Sequence, residues 1–161
     1  MLDLLARNHA ALKKTFEAGT ILLAEGKNTG KVYVLVEGAV EIDRGGVTIA
    51  KSSDEGAIFG EMSLLLDLPH TASVRTTSQS TLYEILDGNA FLQSDPQIAL
   101  IVAKTLAQRL YSATTYLVDL KKQYAGQSNH LGMVSDVLAS LVFQKQTSFE
   151  PGSDRQPDHQ M

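Results

Sequence analysis

The stretch Phe59–Arg75, FGEMSLLLDLPHTASVR, decides how the rest of the chain is read. Gly60 permits close backbone approach, and Glu61 opens a short apolar turn where the helix dipole favours a carboxylate. Amides at such a helix start converge and bind anions. Pro69 stiffens the return, and Thr71, Ala72 and Ser73 are small enough to let their amides reach a phosphate. The candidate ligand-binding residues are therefore Phe59, Gly60, Glu61, Met62, Ser63, His70, Thr71, Ala72 and Ser73.

On the N-terminal side, KVYVLVEGAVEI alternates as a strand does, with Val32, Val34 and Val36 on one face and Tyr33 and Leu35 on the other. Gly38 marks a tight bend, and Gly45–Gly46 a hairpin turn before VTIAK. Further back, Leu2, Leu5, Ala6, His9 and Leu12 trace one helical face, so residues 1–15 are read as an N-terminal helix. Beyond the central stretch, SVRTTSQSTLYEIL is strand-like and ends at Asp87–Gly88. Short strands punctuated by glycine turns over residues 16–95 predict a β-roll or jelly roll.

Pro96 then opens a long helix, residues 96–125, with apolar residues at Val102, Leu106, Leu110, Ala113, Leu117, Leu120 and Tyr124. Steps of four and three, alternating from Leu106 onward, make a heptad seam of about three heptads. Such a seam predicts pairing with a second copy through residues 98–124. A shorter amphipathic helix is expected over 129–145, and a polar, acidic, mobile tail over 147–161. The fold class is thus mainly β with flanking helices, a β-roll followed by a long C-terminal helix.

At 161 residues, 43% apolar and 20% charged, the chain reads as one soluble domain with extensions. The start MLDLLARNHAALKK has neither a basic segment nor an apolar run of the signal-peptide kind. The sequence has no cysteine, which removes disulfides, thiolate metal sites and a cysteine nucleophile, and points to the cytoplasm. A net charge of −4 argues against a general nucleic-acid binder but not against one small anion in a local pocket.

FEAGTILLAEG, VYVLVEGAVEI and GAIFGEMSLLLDLPHTASV, followed by a long helix, resemble in order the cyclic-nucleotide-binding domain family. The resemblance spans roughly residues 16–124, and the helix is most similar to the dimerisation helix of catabolite-activator-type bacterial regulators. It implies that Glu61 holds a ribose hydroxyl and that the turn Gly60–Ser63 and the Thr71–Ala72 amides hold a cyclic phosphate. It further implies that Tyr111, Ala113, Thr114 and Leu117 cap the base. A hydroxyl at Thr71 is a weak hint of guanine selectivity, so the ligand is cAMP or cGMP. No cofactor is implied.

The chain departs from the family pattern at His70, where arginine is usual. Arginine grips two phosphate oxygens with a permanent charge. Histidine offers one donor and is mostly neutral near pH 7. Losing a charge-assisted hydrogen bond costs about 1.5–3 kcal/mol, or roughly ten- to a hundred-fold in affinity. A bound phosphodiester would raise the pKa of His70, so affinity is expected to improve as pH falls. Arg75 is five positions on, which on a strand sends it to the opposite face, and it reads as a surface residue.

Four functions compete. A homodimeric nucleotide sensor that signals through a partner protein leads, and a degenerate dimeric domain without nucleotide is the alternative. A metal-dependent jelly-roll enzyme would need about three clustered ligands, yet of the four histidines only His70 lies within the roll. A DNA-binding regulator would need two helices and a basic face after Gln127, where one helix and an acidic tail are expected.

Overall fold

The computed structural model describes residues 1–8 and 10–124, together with Val137. It divides into two compact units, residues 1–107 and 108–161. The first begins with helix α1 (Leu2–Ala6) and strands β1 (Ala11–Phe16), β2 (Ile21–Leu23), β3 (Val32–Glu37), β4 (Val40–Arg44), β5 (Val47–Ser52) and β6 (Ile58–Phe59). Helix α2 (Glu61–Leu65), strands β7 (Ser73–Thr76) and β8 (Ser80–Ile85), and helix α3 (Gly88–Ser94) follow. Helix α4 (Pro96–Gln123) starts in the first unit and ends in the second.

Two four-stranded antiparallel sheets form the roll, ordered β1-β8-β3-β6 and β2-β7-β4-β5. The fold is the β-roll with a long following helix that the strand pattern implies. Strand β3 is central and buried on both faces, which is why VYVL reads as a nearly continuous apolar run. Tyr33 and Leu35 join Leu23, Val40, Phe59, Val74 and Leu82 in one core cluster. Val32 and Val34 pack with Leu5, Phe91, Ile98 and Val102 in the other, so helices α1, α3 and the start of α4 cover that face of the sheet. Each such fully buried side chain contributes about 1.5–3 kcal/mol of transfer free energy.

The expected helix over residues 1–15 is corrected. Only Leu2–Ala6 is helical, and Ala11–Phe16 is an edge strand pairing with β8 from Ala11↔Ile85 to Phe16↔Ser80. Local helical periodicity lost to the unpaired edge of β8, which needed a strand beside it. The roll therefore begins at residue 11, five residues earlier than the expected boundary of 16. Asp87 caps α3 by accepting a hydrogen bond from Ala90 N–H at 3.0 Å, and Pro96 occupies the first position of α4, where no amide bond is forfeited. Val102 is buried and Leu106 half-buried against the first unit, so part of the heptad seam packs within the chain. The helix expected over 129–145, apart from helical Val137, and the tail over 147–161 lie outside the described residues.

Candidate functional site

Strand β6 pairs with β3 through Tyr33↔Phe59 and Val34↔Ile58, which delivers Gly60 beside the backbone of Lys31. Gly60 turns the chain into α2 with φ +97°. A Cβ there would lie 2.4 Å from the Lys31 carbonyl oxygen and 3.2 Å from Leu23 Cδ1. Only glycine fits this elbow, on backbone angle and on space alike. The elbow places Glu61 at the first helical position, buried to 1% exposure. Phe59 is anchored in the core, Met62 is exposed, and Ser63 is buried with its hydroxyl donating to the Gly60 carbonyl at 2.9 Å.

The chain leaves α2 through Asp67, whose φ of +55° is tolerated by an aspartate, and returns through Pro69 to His70. His70 is held by both backbone and ring. Its N–H donates to the Lys27 carbonyl and its carbonyl accepts from Gly26 N–H, each at 2.8 Å. Ring Nδ1 lies 3.1 Å from Ser63 Oγ, and Nε2 lies 2.8 Å from Thr29 Oγ1. The residue is 4% exposed. Burial pushes its pKa below the ordinary histidine value, so the ring is neutral at pH 7.

Thr71 and Ala72 come next, half-buried, and among the described residues neither amide meets an acceptor. The His70–Ser63 contact sets this return against the start of α2, and amides on small residues there suit an anionic ligand. Ser73 differs: its hydroxyl oxygen accepts from Glu25 N–H at 2.9 Å, which ties the end of this segment to the turn after β2. Arg75 is exposed and paired with Glu41, with Asp43 at 3.6 Å, in keeping with the reading of a surface residue. Tyr111 and Ala113 are exposed on α4 in the second unit. Thr114 there gives its hydroxyl to the Leu110 carbonyl at 2.7 Å, and Leu117 is half-buried.

Two features escaped the sequence reading. Thr29 carries no motif signal; only the turn geometry brings it to His70. Glu84 is a carboxylate inside the strand run LYEI, and that break in an apolar run was a usable sign. Its partners are Lys14, Lys31 Nζ at 3.0 Å and the Tyr33 hydroxyl at 2.9 Å. Burial alone would favour the neutral acid, but hydrogen bonds from Lys14, Lys31 and Tyr33 overcome it and hold the pKa at about 2. Tyr33 moves the other way, raised first by burial and then by its bond to Glu84. Among the described residues no three His, Asp or Glu side chains converge as metal ligands do, and no helix is long and apolar enough to cross a membrane.

The family described as the cyclic nucleotide-binding domain matches residues 13–93, which include every residue of the elbow and its return. The catabolite activator protein of Thermus thermophilus has a similar structure, with a TM-score of 0.58 and 25% identity, covering 88% of this chain and 82% of that one. Isozyme 1 of the cGMP-dependent protein kinase of Drosophila melanogaster is 26% identical over 125 residues, 78% of this chain and 15% of that protein. An uncharacterized ABC transporter ATP-binding protein of Mycobacterium bovis is 36% identical over 69 residues, 40% of this chain and 21% of its own length. The chain thus spans about a fifth or less of these curated relatives. It belongs to the cyclic nucleotide-binding domain family.

Proposed function

We propose that this chain is a cyclic-nucleotide sensor module without catalytic activity of its own, binding cAMP or cGMP and acting as a homodimer on a partner protein. Domains of this family are regulatory rather than catalytic. The observation that carries the reading is the His70–Ser63 contact, which sets the return carrying the Thr71 and Ala72 amides against the turn that opens at Gly60. Glu61 would accept from a ribose hydroxyl while the amides take the phosphate. The cysteine-free composition fits the cytoplasm.

His70 would not grip the phosphate as an imidazolium, because both its nitrogens face hydroxyls of this chain. The ligand then lacks one charge-assisted bond, which leaves binding roughly ten- to a hundred-fold weaker than an arginine would give. Thermal-shift measurements with cAMP and cGMP test the reading, since a ligand of the folded state raises its stability. A rise with either nucleotide supports it, and no rise with either at millimolar concentration opposes it. The occupied ring of His70 also favours a second reading, a dimeric interaction domain that keeps the shell and has given up the nucleotide.

Homodimerisation would use the part of the seam left over from packing within the chain. Leu110, Ala113 and Tyr124 are its exposed positions, Leu110 and Tyr124 at 45% and 50%.

A further inference from the structure

We propose that Thr29 is a positioning residue of the ligand site, holding His70 as the neutral Nδ1–H tautomer in a one-directional strut that braces both walls of the site. Ser63 has a single hydroxyl hydrogen, and it goes to the Gly60 carbonyl at 2.9 Å. Nδ1 of His70, 3.1 Å from the same oxygen, must therefore donate. Nε2 is then the lone-pair nitrogen and accepts from the Thr29 hydroxyl at 2.8 Å. Thr29 Oγ1 accepts in turn from Lys31 N–H at 3.3 Å.

Four hydrogen bonds thus run in one sense, from the Lys31 amide to the Gly60 carbonyl. The opposite tautomer would give up the Ser63–Gly60 bond, since the serine hydrogen would then point at Nδ1. An imidazolium would put a charge at a position 4% exposed whose ring partners are two hydroxyls. The strut joins three segments: the turn before β3, the start of α2, and the return that carries the Thr71 and Ala72 amides. Its uncharged ring serves geometry, and the ligand receives amides in place of a cation. Thr29 is itself exposed, so replacing it opens no core cavity.

Two-bond 1H–15N correlation spectra of the labelled full chain at neutral pH test this, with the His70 signals identified by their loss in His70→Asn. The expected pattern has Nδ1 protonated and Nε2 unprotonated. Thr29→Val moves the ring to mixed tautomers, and Thr29→Ser restores the single form. A wild-type ring protonated at Nε2 or at both nitrogens overturns the proposal, as does a Thr29→Val spectrum identical to wild type. A second arm rests on the nucleotide reading: Thr29→Val weakens cAMP or cGMP binding about ten-fold while Thr29→Ser does not. Equal affinities across these proteins overturn the positioning role. Absence of binding in all of them, with the expected spectra, refutes the nucleotide reading and leaves the strut standing.

Discussion

Acid should unfold this protein partly through one carboxylate. Glu84 is held ionised by Lys14, Lys31 and Tyr33, with a folded-state pKa of about 2 against an ordinary 4.5. A depressed carboxylate pKa stabilises the fold fully above the unfolded value, and that stability disappears as pH falls through the folded value. The window therefore opens near pH 4.5 and closes near pH 2. The full difference corresponds to about 3 kcal/mol at neutral pH. Lys14 and Lys31 are 47% and 35% exposed, so solvent screens the pairs and weakens their contribution. The expected loss between about pH 6 and about pH 3 is then about 1–2 kcal/mol. Urea unfolding followed by circular dichroism across this range, on wild type and Glu84→Gln, measures it. The wild-type curve should fall more steeply than the variant's by that amount. Parallel curves would refute the reasoning, because they would mean that the cluster does not shift the titration of Glu84.

Further outcomes follow from single residues. Gly60→Ala meets both the left-handed φ and the Lys31 carbonyl; it should cost about 2–4 kcal/mol in urea unfolding and remove nucleotide binding in calorimetry. Arg75→Ala should leave nucleotide affinity unchanged, since its guanidinium is engaged with Glu41 and Asp43 on the surface; a ten-fold loss in the same titration would make it a ligand residue. Leu110→Asp combined with Leu117→Asp should convert a dimer into a folded monomer in sedimentation velocity, whereas Val102→Asp should instead destabilise the first unit.

Much of the fold was readable because the determining positions are local. Gly60, Pro69 and the small residues after it mark a turn whose chemistry lies in consecutive residues, and the β3 run VYVL announces a central strand. Helical periodicity misled at residues 2–14 because the pairing that makes Ala11–Phe16 a strand comes from β8, seventy residues away in sequence at the Lys14–Glu84 contact. Long sequence separations of 41 and 53 residues likewise hid Thr29 from His70 and Lys31 from Glu84, since no local pattern records which side chain a turn will present to another. His70 stands out in the sequence, but its task cannot be read from its identity. A histidine opposite a phosphate and a histidine wedged between two hydroxyls look alike in sequence; burial and two ring distances separate them.

Isothermal titration of the wild-type chain and His70→Arg with cAMP and cGMP tests the central claim most directly. Expected is one-site binding of at least one nucleotide to the wild type, and net tighter binding to His70→Arg, by up to about ten-fold, because the charge-assisted bond gained outweighs the strut lost with the His70 ring. No binding heat with either nucleotide in either protein would contradict the sensor function, and equal affinities would contradict the weakened phosphate grip.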